Sequence, residues 1–68
     1  MFYTAVVIFL ARDEQGEIQE RKVRQDVTDD IAEGADREEL VDRLYWHEVH
    51  GLPELVEVIG GDIEESTV

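Results

Sequence analysis

The sequence predicts a small α+β domain of ββαβ order: a three-stranded antiparallel sheet, strand order 2-1-3, with one main α-helix packed on one face. Three observations lead there. Residues 2–12, FYTAVVIFLAR, are β-branched and aromatic and carry apolar side chains on both alternating faces, as a central strand does. A turn-forming stretch, DEQGE, joins it to a polar second run. A single long segment, residues 36–50, carries apolar residues at helical spacing.

Each element has its local reason. Phe2, Val6, Ile8 and Leu10 alternate with Tyr3, Ala5, Val7 and Phe9 in the first strand. Gly16 supplies the permissive backbone of the turn. Residues 18–25, IQERKVRQ, are charged and polar, which suits an edge strand. Thr28 is placed to cap a short helical turn through DDIAE, ended by Gly34. Asp36 and Glu39 have capping-box spacing at the start of the main helix. That helix is expected to run to about His50 and stop at Gly51, with Pro53 beyond it. Residues 55–63, LVEVIGGDI, read as the third strand, with a bulge or bend at Gly60-Gly61. The final EESTV reads as a tail. A right-handed crossover through the helix sets the third strand on the far side of the first. One helix covers one face of such a sheet. Either Tyr3, Ala5, Val7 and Phe9 or Phe2, Val6, Ile8 and Leu10 are therefore left partly uncovered.

The 68 residues make one domain, residues 1–68. There is no cysteine, so neither a disulfide nor a thiolate metal site can staple it. The apolar run of residues 2–11 is too short for a membrane span and lacks the flanks of a signal peptide. A cytoplasmic protein is expected.

The net charge is −12. Residues 1–25 contribute none of it: Asp13, Glu14, Glu17 and Glu20 balance Arg12, Arg21, Lys22 and Arg24. Residues 26–68 hold fourteen acids against Arg37 and Arg43. Such a surface repels nucleic acid and anionic lipid and attracts basic surfaces. Unrolled at about 100° per residue, the main helix places Leu40, Val41, Leu44 and Tyr45 on its core side. Glu38, Glu39, Asp42, Trp46 and Val49 fall opposite, and Glu48 falls near the core. Trp46 among carboxylates has the makeup of an interface anchor; its alternative is packing on a loop or the short first helix.

Carboxylates three or four residues apart on a helix lie about 5–6 Å apart at Cβ. Phosphates along one DNA strand advance by about 3.4 Å of axis each. Two carboxylate rows, Asp29, Asp30 and Glu33, and Glu38, Glu39 and Asp42, are thus suited to the lysine and arginine sites of a DNA-gripping protein. Together with Trp46 they are the expected partner-binding residues. Acidity imposed by a halophilic host is the competing explanation, and the single lysine fits it. The neutral first half fits it less well, because salt adaptation spreads acid over every exposed element.

No catalytic signature is present, and no enzyme activity, cofactor or metal is expected. His47 and His50 are three apart, one short of the zincin spacing. The carboxylate runs lack the ligand spacing and central glycine of a calcium loop. Self-repulsion at this net charge favours a monomer, and any dimer is expected to form through the neutral hairpin side.

In architecture and charge placement the whole chain resembles the small, acidic, phage-encoded anti-CRISPR proteins. These include members with one helix on a three-stranded antiparallel sheet, no cysteine and a concentrated negative face. The inhibitors of type I-C systems are similar in size and plan. The resemblance implies an inhibitor that binds the Cascade surveillance complex through its basic DNA-binding surface and competes with target DNA. Inhibitors of restriction enzymes or of uracil-DNA glycosylase share the same general design. The alternative is a small acidic structural or regulatory domain, dimeric through its sheet.

Overall fold

A computed structural model describes residues 1–67. It contains strands β1 (Phe2–Arg12), β2 (Ile18–Asp26) and β3 (Leu55–Ser66), and helices α1 (Thr28–Ala32) and α2 (Arg37–Leu44). A π-helical turn, Tyr45–Val49, continues α2. The sheet order is β2-β1-β3, and β1 is antiparallel to both neighbours. The fold is the α+β arrangement that the sequence predicts.

The two-residue period of β1 sorts its side chains. Ala5, Val7, Phe9 and Ala11 join Val27, Leu40, Leu44, Val49 and Ile63 in one core on the helix side. Phe2, Thr4, Val6, Ile8 and Leu10 point to the opposite face, which no helix covers. Of the two sets expected to be uncovered, it is therefore the second. Phe2 is 47% exposed, and Ile18 at the end of β2 is 49% exposed.

Asp13 builds the hairpin turn. Its carboxylate accepts from the backbone N–H groups of Gln15 and Glu17 and from the Gln19 amide. The Glu17 N–H is the main reason its pKa lies below the ordinary 3.8. At the other end of β2, Asp26 accepts the Thr28 N–H, which lowers its pKa likewise.

Thr28 does not cap α1 through its side chain. Its hydroxyl accepts from the Tyr3 N–H at 3.0 Å and donates to the Tyr3 carbonyl at 3.5 Å, so it ties the helix start to β1. At the far end, Gly34 N–H reaches the Ile31 carbonyl and Ala35 N–H reaches the Asp30 carbonyl. With Gly34 at φ +89°, this is a Schellman closure. Asp36 then caps α2 by accepting the Glu38 N–H at 2.8 Å.

The main departure from expectation lies after Leu44. A continuous α-helix sets Glu48 four residues after Leu44, on the core face, and turns Val49 outward. The structure does the reverse: Glu48 is exposed and Val49 is 0% exposed. The π turn is responsible. The His50 N–H bonds the Tyr45 carbonyl five residues back, at 2.8 Å. The wider turn carries Leu44 to Val49 in roughly one revolution. A single inserted position thus keeps a carboxylate out of the core and brings a valine in.

β3 is also longer than expected, because Glu64–Ser66 pair with β1 as far as Phe2. Val68 of the expected tail lies outside the described residues. The register shifts between Ile8 and Phe9, next to Gly60-Gly61, where a bulge is expected. The two glycines do different work. A Cβ on Gly61 would lie 2.6 Å from Val41 Cγ1, whereas one on Gly60 would meet nothing within 4 Å. Gly61 is therefore what lets α2 approach β3. Gly61→Ala is expected to destabilise by about 1–3 kcal/mol through overpacking, while Gly60→Ala stays within about 0.5 kcal/mol of the parent. Chemical denaturation of the two variants checks this, with equal effects as the contrary result.

Candidate functional site

Both helices lie on the core side of the sheet, and with them the carboxylate rows. Asp29 and Asp30 occupy the first turn of α1, and Glu38 and Glu39 the first turn of α2. Negative charge is favoured at a helix N-terminus, so these acids oppose the fold less than their number suggests. The two arginines of this half are already engaged. Arg43 meets Asp30 at 3.3 Å and links the helices. Arg37 meets Glu65 of β3 at 2.9 Å, with its guanidinium over the Tyr3 ring at 5.4 Å. These contacts are solvent-exposed and each contributes little to stability, but they occupy the local cations.

What remains is a set of carboxylates without a cation. Asp29, Glu33, Glu38, Glu39 and Asp42 are all exposed and make no ion pair among the described residues. Asp30 is the exception in the expected set, being half-buried and held by Arg43. Glu38 and Asp42 border a cleft of about 340 Å³ between α2 and β3, lined also by Arg37, Val41, Gly61, Asp62 and Ile63. Asp62 belongs to the cleft wall only as part of β3: it pairs with Val6, so its side chain lies on the open face of the sheet, while Gly61 and Ile63 face the helix. Its carboxylate accepts the Ile63 N–H at 2.8 Å.

Trp46 follows Asp42 by four residues and is 60% exposed. It lies outside the buried core. Its ring centroid lies 4.2 Å from that of His50, and Tyr45 meets it edge-on at 5.4 Å. His50 is therefore a stacking partner of the tryptophan, and His47 is exposed on the same turn. A large apolar ring held by its neighbours and left in water beside a field of free carboxylates is suited to protein recognition. Direct contact with nucleic acid is opposed by the charge.

The chain shows no match to a family model, to a curated protein or to a solved structure. Among the described residues no helix is long and apolar enough to cross a membrane.

Proposed function

We propose that this protein is a phage-type inhibitor that occupies the basic DNA-binding surface of a nucleic-acid-binding complex, with type I CRISPR Cascade as the foremost candidate. Its helical face stands in for the charge of target DNA. The observation that carries this reading is the set of five exposed carboxylates without cations on the helices, next to the exposed Trp46. Carboxylates whose cations are supplied by another molecule offset the repulsion among them only in the complex. Asp29, Glu33, Glu38, Glu39 and Asp42 meet lysines and arginines, Asp30 does so while keeping Arg43 at the rim, and Trp46 fills a pocket between them.

The uncovered sheet face favours a second reading, a small acidic regulatory domain whose charge follows from its host. The two readings differ in salt dependence. If the helical face imitates DNA, affinity for purified Cascade falls steeply as sodium chloride rises, since screening acts on exposed charge pairs. Isothermal titration at low and high salt measures it. An affinity that does not change with salt contradicts charge mimicry.

A further inference from the structure

The two edges of the sheet differ. β2 exposes Arg21, Lys22 and Arg24 along its length, and charged side chains, lysine above all, discourage other strands from pairing at an edge. β3 is irregular in its first half. Its register skips Ile59 between the pairs Ile8–Gly60 and Phe9–Val58, and Val56 between Leu10–Glu57 and Ala11–Leu55. Extra residues of this kind bend a strand and discourage further pairing there. From Gly60 to Ser66, by contrast, every residue has one partner in unbroken order, from Ile8 back to Phe2. The outer side of this regular stretch has no neighbour in the sheet, and the stretch holds no lysine, arginine or proline. Asp62 and Glu64 lie on the open face, opposite Val6 and Thr4, and both are exposed. Gly61, Ile63 and Glu65 lie on the helix side, opposite Val7, Ala5 and Tyr3. There the cleft of about 340 Å³ runs beside the stretch, lined by the apolar Val41 and Ile63 and by the carboxylates of Glu38 and Asp42. Arg37 is the one base in that lining, and Glu65 holds it.

We propose that residues 60–66 of β3 accept an extended segment of another protein as a fourth strand, and that this segment alternates basic and apolar residues. Backbone pairing along an open edge supplies affinity, and the side chains on its two faces supply the choice of partner. Successive side chains of an added strand point to opposite faces. One set lies beside Asp62 and Glu64, where a lysine or arginine directly across is favoured and an acid is opposed. The other set enters the cleft against Val41 and Ile63, with Glu38 and Asp42 beside it. Gly60 fits the same arrangement. Its φ is not in the left-handed region and a Cβ there meets nothing within the chain, so its own packing does not require a glycine. A bare strand position suits the close approach of another backbone. Charge selects the occupant. Every charge on the stretch is a carboxylate, so the same edge of a second copy brings only more of them. The β2 edge of a second copy brings Glu20 and Asp26 along with its bases. A basic strand from a different protein brings unlike charge alone. Glu38 and Asp42 are shared with the helical face, but the inference does not depend on the target proposed for that face, because what it specifies is backbone pairing at β3.

The probe is a synthetic peptide of alternating lysine and valine, about nine residues long, which spans the stretch at about 3.3 Å per residue. Amide hydrogen exchange of the protein, followed by nuclear magnetic resonance with and without the peptide, should slow at alternate residues within 60–66 and stay unchanged along β2. The same peptide methylated at every backbone nitrogen keeps its charge but cannot donate to the edge, and its Kd should rise at least about tenfold. A chain carrying Asp62→Lys and Glu64→Lys, with circular dichroism unchanged, should bind the unmethylated peptide at least about tenfold more weakly as well. Equal binding of the methylated peptide, or protection that falls on β2 or nowhere, overturns the strand addition. Equal binding of a peptide with glutamate in place of lysine overturns the basic occupant. A chain that sediments as a dimer without peptide, with residues 60–66 already protected, overturns the proposal and assigns the edge to a second copy. Cascade enters none of these measurements, so this proposal and the one for the helical face fail separately.

Discussion

Val49→Asp should leave the protein largely unfolded at room temperature. Val49 is fully buried among Phe9, Leu44 and Val27 in the only extensive core that the described residues form. A carboxylate within this apolar cluster must either lose its hydration or take up a proton, at a cost of several kcal/mol. A domain of this size holds about 3–5 kcal/mol in reserve. The neighbouring Glu48→Ala should change stability by less than about 0.5 kcal/mol, since Glu48 is exposed. Far-ultraviolet circular dichroism and thermal melts of the two variants distinguish the π turn from an uninterrupted α-helix. In the uninterrupted helix the sensitivities are exchanged, with position 48 critical and position 49 tolerant.

Trp46→Ala should cost about 2 kcal/mol or more of binding to the target, roughly a thirtyfold rise in Kd, while the melting temperature hardly moves. The ring is 60% exposed and its contacts are to His50 and Tyr45 rather than to the core, so the fold loses little when it goes. The complex loses an aromatic anchor. Titration of the variant into the target, with a melt of the free variant beside it, separates the two effects. A large fall in melting temperature with unchanged affinity makes Trp46 a structural residue and removes it from the interface.

Most of the fold was legible because local chemistry and periodicity agreed. The doubly apolar first run could only be a central strand, the charged second run only its edge, and Asp36 and Gly34 mark helix ends by mechanisms that need no tertiary partner. Misreadings arose where a tertiary demand overrode a local rule. An α-helical wheel assigns Val49 to the charged side, because nothing local announces an i→i+5 hydrogen bond; the cost of burying Glu48 was the available hint. Thr28 looked like a cap, but pairing with the Tyr3 backbone claimed its hydroxyl. Glu64–Ser66 looked like a tail because acids and a serine give a weak strand signal, yet β1 offers them partners as far as Phe2. Spacing alone marks the acidic rows, and spacing does not show cations from elsewhere in the chain. That Arg43 occupies Asp30, and that Glu38 and Asp42 border one cleft against β3, are facts of packing.

The central claim is that the helical face takes the place of DNA on a basic protein surface. The most direct measurement is displacement: purified type I Cascade is loaded with fluorescently labelled target duplex at low salt, and the protein is titrated in while anisotropy is followed. The account predicts that the duplex is released. It also predicts that a chain carrying Glu38→Lys, Glu39→Lys and Asp42→Lys, with its fold intact by circular dichroism, releases none. Duplex that stays bound while the protein is present in excess, or release that is unaffected by the three reversals, would contradict it.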